Sequence, residues 1–197
     1  MWSGVSHAPA SRTLPRRKLG KRGASVLGWY RQAMAVPRDE FFAIMSAFPT
    51  GVAIVTTLDD RGRPKGLTTN AICSVSAEPP LLLVCVDRTS RTLAALRHAR
   101  RFVVNFMSDG RADLCALFAS KADDKFADVR WEPGLGGVPC LTEDALAYTE
   151  CLTQEELEAG DHLILIGLVE GGRPPDPERT PILYYRRAYG STPTAAS

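Results

Sequence analysis

Short runs of apolar residues, separated by turn-forming residues, recur along the chain between about residues 52 and 185. Runs of this length that are rich in valine, isoleucine and leucine are typical of β-strands. Strands are therefore predicted over residues 52–57, 81–86, 102–107, 145–152, 162–169 and 183–185. Turn residues at 59–62 predict a hairpin into a further strand around Gly66. The acidic segment 154–161 is predicted to be a connection between two long strands.

Three other segments carry apolar residues at helical spacing. The first follows Pro37 and predicts an amphipathic lid or packing helix, whose apolar residues are Phe41, Phe42, Met45 and Phe48. Ser90 is expected to cap a second helix, and residues 108–126 are predicted to be helical with an interruption around Ser120. Because strands dominate and the helices are few, the pattern predicts a mainly β domain, a β-barrel with flanking helices.

The length and composition fit one folded domain. The chain has 197 residues, 45% of them hydrophobic, which is enough for one sizeable core. We expect a basic, disordered N-terminal arm over residues 1–36, a domain over residues 37–189 and a flexible tail over residues 190–197.

No apolar stretch is long enough to cross a bilayer, so no membrane partner is expected. The five cysteines lack CxxC spacing, which indicates neither a zinc site nor a disulfide framework and favours a cytoplasmic location.

Charge divides the chain unevenly. Residues 1–38 hold eight of the 24 cationic side chains and no acidic one, so the other 16 cations face 22 acidic side chains, a formal charge of −6. Three interpretations of the basic arm stay open: a disordered leader or start-site artefact, an arm that touches a partner, and a nucleic-acid contact or targeting peptide. Since the arm carries no nucleic-acid-binding motif, we expect no nucleic-acid partner.

Polar residues cluster where two of the predicted strands begin and end. Thr68, Thr69 and Asn70 lie at the start of an apolar strand and offer the neutral donors and acceptors that the edge of a flat heterocycle requires. Residues 88–92 follow the next strand and supply charge and hydroxyl donors suited to a phosphate. Polar strand ends are ordinary in proteins, so the pattern alone leaves open that these residues only face solvent.

Gly160, Asp161 and His162 form a second candidate. Gly160 permits a tight turn, and Asp161 is placed to orient the ring of His162. A lone histidine is more often structural than catalytic, and both interpretations stay open. The glycines at 134–137 lack the strand-to-helix context of a Rossmann fingerprint, so a pyridine nucleotide would have to bind in another way.

Several short motifs resemble one family when their order and spacing are taken together. They are FPTGV at 48–52, GLTTNA at 66–71, SVS at 74–76 with PP at 79–80, CVDRTS at 85–90, FVVN at 102–105, FASK at 118–121 with DKF at 124–126, GDH at 160–162 and LYY at 183–185. Across residues 37–189 the chain resembles the flavin reductase-like family of the FMN-binding split barrel, which includes the reductase components of two-component flavin monooxygenases. One departure is Ala71, where the family often has a serine.

The resemblance implies a role for each matching residue. Thr50, Gly51, Thr68, Thr69, Asn70 and Ala71 are expected to line the flavin ring and ribityl chain, and Asp87, Arg88, Thr89 and Ser90 to lie near the ribityl and phosphate groups. Lys121 and Lys125 are candidate phosphate partners, although lysines on an exposed helix are usually solvated. His162 is expected beside the nicotinamide, where it would position the ring rather than transfer a proton. No metal site is expected.

The implied function is an NAD(P)H-dependent flavin reductase. It would transfer a hydride from NADH or NADPH to FMN or FAD and supply the reduced flavin by diffusion to a partner monooxygenase. The resemblance also implies a homodimer whose interface completes the flavin site. Two alternatives remain: a flavin- or haem-binding barrel without turnover, and a flavin-linked oxidoreductase that acts on another small molecule.

Overall fold

The structure, a computed structural model, describes residues 36–191. The predicted basic arm, apart from Val36, and the last six residues of the predicted tail lie outside the described residues. The helices are α1 (Arg38–Ser46), α2 (Leu93–Ala99) and α3 (Ala112–Ala119). The strands are β1 (Thr50–Gly51), β2 (Ala53–Leu58), β3 (Pro64–Thr69), β4 (Ile72–Ala77), β5 (Pro80–Asp87), β6 (Arg101–Met107), β7 (Glu132–Pro133), β8 (Pro139–Cys140), β9 (Ala145–Ala159), β10 (His162–Arg173), β11 (Ile182–Tyr185) and β12 (Ala188–Ser191).

Seven strands form the main sheet, in the spatial order β3-β2-β6-β9-β10-β5-β4, and every neighbouring pair is antiparallel. The two ends of this order, β3 and β4, are consecutive along the chain, so the sheet curls round to bring its first and last strands together at residues 70 and 71. Strands β1, β11 and β12 form a separate three-stranded sheet, and β7 pairs with β8. The predicted mainly β fold with flanking helices is confirmed.

The core lies on both faces of the central strands. Alternate residues of β2, β5, β6 and β10 pack with α2 in one cluster, which includes Val55, Val84, Leu96, Phe102 and Leu163. A second cluster joins the opposite face of β2 to α3 and β11, with Ile54, Met107, Cys115, Phe118 and Ile182. Strand β2 is consequently buried on both faces, which explains why Ala53, Ile54 and Val55 are apolar without alternation. The buried hydroxyls of Thr56 and Thr57 donate to the carbonyls of Pro139 and Arg101.

Asn105 ties the centre of the sheet to a neighbouring loop. Its side chain is fully buried, and its amide group donates to the carbonyl of Ile54 at 3.0 Å and to the Thr56 hydroxyl at 3.1 Å. Its carbonyl oxygen accepts the backbone N–H of Leu141 at 2.8 Å. These contacts compensate a side chain that would otherwise be costly to bury.

Two of the predicted element boundaries were wrong. The acidic segment 154–161 is not a connection, because β9 continues to Ala159 and pairs with β10 up to His162. Only Gly160 and Asp161 form the turn, and Gly160 has the positive φ of 62° that such a tight hairpin needs. The charged side chains face solvent, so the backbone ladder continues despite the acidic composition.

The helical prediction for residues 108–126 was also too long. Helix α3 covers only Ala112–Ala119, since Gly110 adopts a positive φ of 77° before it and Ser120 is extended at its end. Lys121 and Lys125 therefore lie in a loop and not on a helix. Strand β12, which the sequence did not predict, extends from Ala188 to Ser191.

Helix α1 forms as predicted but buries none of its residues. Its apolar side chains are exposed in the single chain; Phe41 is 50% and Met45 49% exposed, and Phe48, just beyond the helix, is 65% exposed. Within residues 36–191, no helix is long and apolar enough to cross a bilayer.

Gly167 in β10 offers a test of the core. A β-carbon at this position would lie 2.6 Å from Cζ of Phe102 and 3.0 Å from Cβ of Cys151, both of which are buried. Gly167→Ala should therefore destabilise the fold by about 1–3 kcal/mol. Gly190→Ala is the matched control, because a β-carbon there meets nothing within 4 Å. Urea unfolding of both variants measures the difference, and equal midpoints would contradict the packing described here.

Candidate active site

A cleft of about 650 Å³ opens beside β3 and collects most of the predicted site residues. Its walls are β3, the end of β5 with the turn that follows, the loop after α3, and the start of β10. The predicted residues that line it are Thr68, Thr69, Asn70, Ala71, Asp87, Thr89, Ser90, Lys121, Lys125 and His162. Segments that are far apart in the sequence thus meet around one space.

The wall formed by β3 is a sheet edge that side-chain hydrogen bonds connect to the neighbouring segments. The carbonyl of Gly66 accepts the Thr92 hydroxyl at 3.0 Å and the Lys125 ammonium at 3.3 Å. The Thr68 hydroxyl donates to the carbonyl of Cys115 in α3 at 2.6 Å. The edge is therefore held in place without a further strand covering it, and the cleft stays open.

The turn after β5 is organised by Asp87. One of its carboxylate oxygens accepts both the backbone N–H and the hydroxyl of Thr89, each at 2.7 Å, and its carbonyl accepts the N–H of Ser90 at 2.9 Å. The hydrogen bonds from Thr89 hold the pKa of Asp87 below its ordinary value. Asp87 is thus an ionised turn residue, and the Ser90 hydroxyl, which accepts the N–H of Thr92 at 3.3 Å, keeps its proton to donate.

His162 lies at the start of β10 and pairs directly with Asp87 across the sheet. Its Nδ1 is 2.7 Å from Oδ1 of Asp161, and the carbonyl of Asp161 accepts the N–H of Arg88 at 3.0 Å. The hydrogen bond with His162 lowers the pKa of Asp161. The imidazole is oriented from its Nδ1 side and is 41% exposed, while Nε2 has no hydrogen-bond partner among residues 36–191.

Asn70 separates this cleft from a second, mainly apolar cavity of about 750 Å³. Its amide group donates to the Thr50 hydroxyl at 3.1 Å, and Thr50 and Gly51 line the second cavity instead of the first. The backbone of Ala71 is already engaged: its N–H donates to the Thr69 hydroxyl at 3.1 Å and its carbonyl accepts the N–H of Cys85 at 2.9 Å.

Of the three cations singled out in the sequence, Lys121 and Lys125 line the cleft and Arg88 does not. The guanidinium of Arg88 lies 3.7 Å from Glu158, and Arg88 is not among the residues that line the cleft. Arg91 does line it; it belongs to the run 88–92 that was expected to supply charge to a phosphate, but the family resemblance gave it no role. Its Nη1 donates to the carbonyl of Lys121 at 2.9 Å and to Asp123 at 2.8 Å.

Lys125 points its ammonium at the same end of the cleft. It donates to the carbonyl of Phe118 at 2.6 Å, and partial burial, with a smaller contribution from the nearby charge of Arg91, lowers its pKa. Lys65 and Lys121 also line this end. Neutral side chains thus line the Asn70 end of the cleft, and several cations surround the Arg91 end.

The hydrogen-bond donors and cations of the cleft fit a flavin nucleotide, whose ring has neutral polar edges and whose phosphate is anionic.

Cys85 also lines the cleft, and the sequence motifs did not predict it as a site residue. Burial raises the pKa of its thiol, which is therefore protonated at neutral pH. Residues 36–191 contain no group of three or more His, Cys, Asp or Glu side chains that could hold a metal ion.

Comparison with known proteins gives relatives along most of the chain. The NADH flavin reductase of Kitasatospora aureofaciens is 50% identical over 159 residues, which cover 80% of this chain and 83% of the relative. The flavin-dependent monooxygenase reductase subunit HsaB of Rhodococcus jostii (strain RHA1) is 37% identical over 157 residues, which cover 80% of this chain and 79% of that protein.

A solved structure and a family comparison agree with these relatives. The NADH:FAD oxidoreductase SgcE6 of Streptomyces globisporus C-1027, in complex with NAD and FAD fragments, superposes with a TM-score of 0.76 at 30% identity, covering 84% of this chain and all of that one. The family described as "Flavin reductase like domain" matches residues 45–193, which include the whole cleft. The resemblance seen in the sequence motifs is confirmed, and the chain belongs to the flavin reductase-like domain family.

Proposed function

We propose that this protein reduces FMN or FAD with NADH or NADPH and releases the reduced flavin. The single observation that carries the proposal is that one open cleft joins the His162 hairpin, a neutral polar wall and a cationic end. The Kitasatospora relative, which is named for NADH, supports the choice of donor.

Each part of the cleft has a task in this reaction. Thr69, Asn70, Ser90, Arg91 and Lys125 all line the cleft. We expect Thr69 and Asn70 to bond the polar edge of the ring, and Ser90, Arg91 and Lys125 to bind the phosphate. A flavin ring accepts a hydride directly from a nicotinamide, so the protein's main contribution is to align two flat rings. His162, oriented by Asp161, positions the nicotinamide; proton transfer by the imidazole is not needed.

The openness of the cleft suits a flavin that enters and leaves. Its phosphate-binding cations are partly exposed, with Arg91 63% exposed, so each contact contributes modestly to affinity. Release supplies reduced flavin to a separate monooxygenase, a role supported by the relative named as a monooxygenase reductase subunit.

We propose the cytoplasm as the location of the protein. All five cysteines are free thiols, which accords with this reducing compartment.

The homodimer is part of the same proposal. Five large apolar side chains on and just after α1 are exposed in the single chain: Phe41, Phe42, Ile44, Met45 and Phe48. Exposed apolar residues concentrated in one segment are typical of an interaction surface. Phe48 also lines the apolar cavity that Asn70 separates from the cleft. A second copy of the chain that covers this surface would enclose Thr50 and Gly51, the two predicted flavin contacts that lie outside the cleft.

The first test is anaerobic bleaching of FMN and FAD by NADH and by NADPH. The wild-type protein should reduce flavin catalytically, whereas a binding protein without turnover would only perturb the flavin spectrum.

His162→Ala should lower the rate of flavin reduction about tenfold or more and raise the Michaelis constant for NADH, with unchanged flavin affinity. If a folded His162→Ala protein keeps wild-type NADH kinetics, the histidine has a structural role and does not position the nicotinamide.

The second test asks which arginine binds the phosphate. Arg91→Ala should raise the FMN dissociation constant about five- to tenfold, because a charge-assisted hydrogen bond is lost at a partly exposed site. Riboflavin, which has no phosphate, should bind both proteins alike. Arg88→Ala tested in parallel decides between the two residues, and Arg130→Ala controls for loss of an exposed ion-paired arginine away from the cleft. A phosphate-dependent loss in Arg88→Ala alone would return the assignment to that residue.

The third test concerns the exposed surface of α1. Phe41→Glu should shift the protein from dimer to monomer at micromolar concentration, because a charge would have to be buried in the interface. Light scattering coupled to gel filtration measures the mass. Leu135→Glu is the control, since Leu135 is similarly exposed at 45% but lies in the turn between β7 and β8. A monomeric wild-type protein would overturn the dimer proposal.

A further inference from the structure

The cationic end of the cleft contains two like charges that share a space. Arg91 and Lys125 both line the cleft, and the nearby charge of Arg91 contributes to the lowered pKa of Lys125. The Lys125 ammonium donates to two backbone carbonyls and, within residues 36–191, forms no ion pair with a carboxylate. Two cations that converge in this way favour an anion between or beside them.

Three carboxylates line or adjoin this part of the cleft, and they are used differently. Asp87 is bonded to Thr89 within its own turn, and Asp124 accepts the backbone N–H of Phe126 at 3.0 Å within its loop. Asp123 makes no such local bond in the part of the chain that the structure describes. Its carboxylate is 99% exposed and its hydrogen-bond partner is Arg91, at 2.8 Å.

We infer that Asp123 competes with the flavin phosphate for Arg91 and so keeps the affinity for flavin low enough for rapid release. This inference rests on the proposed function and adds an affinity-determining residue to it. When the flavin phosphate binds, Arg91 exchanges the Asp123 carboxylate for the phosphate. Breaking the Arg91–Asp123 ion pair costs free energy, and this cost weakens phosphate binding. When the flavin leaves, Asp123 takes its place at once.

The expected change in FMN affinity is small because the Arg91–Asp123 ion pair is exposed to solvent. An ion pair between exposed side chains contributes little because water and salt screen it, so its removal changes an equilibrium constant only a few-fold. The phosphate still displaces Asp123, since it carries more charge and three acceptor oxygens. The competition therefore lowers affinity without preventing binding, which is what a protein that hands on its product requires.

Asp123→Asn tests the inference, because it keeps the shape of the side chain and removes its charge. The dissociation constant for FMN should fall about three- to fivefold and FMN release should slow by a similar factor, with riboflavin binding unchanged. Asp128→Asn is the matched control: Asp128 is also exposed and carries the same charge, but it does not line the cleft and has no ion pair among the described residues.

The same substitution in an Arg91→Ala background separates competition from general repulsion between Asp123 and the phosphate. If Asp123 acts through Arg91, Asp123→Asn should have no further effect on FMN binding once Arg91 is absent. An equal gain in both backgrounds, or no gain in either, would overturn the inference while flavin reduction by NADH continued. Failure of the wild-type protein to bind or reduce flavin would instead contradict the proposed function itself.

Discussion

The structure depends on how the outer edge of β3 is satisfied. This strand ends the seven-stranded order, so the carbonyl of Gly66 has no neighbouring strand to bond to. Thr92 and Lys125 donate to it instead, and Thr68 bonds the strand to the backbone of α3. An unpaired buried carbonyl would be costly, whereas a further strand would fill the cleft. Side-chain donors avoid both, and they leave an open wall against which a flat ring can lie.

The same contacts connect the two ends of the site. Lys125 helps to hold β3 and also contributes charge where a phosphate is expected, so the stability of the wall and the electrostatics of the cleft share one side chain. At the other end, the N–H of Arg88 bonds the carbonyl of Asp161 and thereby links the turn after β5 to the hairpin that carries His162. A backbone hydrogen bond thus joins the turn after β5 to the His162 hairpin, whereas side-chain hydrogen bonds from Thr92 and Lys125 hold the β3 wall.

The local pattern of apolar and turn-forming residues predicted most strands, because apolar runs bounded by turn residues are a strong signal of β-strands. It failed at residues 154–161, where acidic composition favours a loop but pairing with β10 stabilises a strand. It failed again after α3, where the extended backbone of Ser120 places Lys121 and Lys125 in a loop. In the site, the charged run 88–92 was recognised, yet nothing local distinguishes Arg88, whose guanidinium faces Glu158, from Arg91, which lines the cleft.

The sequence by itself determined the mainly β character of the chain, the neutral polar segment at 68–70, the Gly160–Asp161 turn before His162 and, through motif order, the family. These features are local, since each depends on side-chain type and near-neighbour spacing. Only the tertiary structure decided that α1 exposes its apolar side chains, that Thr50 and Gly51 lie beyond Asn70, and that Arg91 meets Asp123 at the cleft. Each of these outcomes depends on which segments the antiparallel sheet brings together, and contacts over such sequence distances leave no periodic signal in the chain.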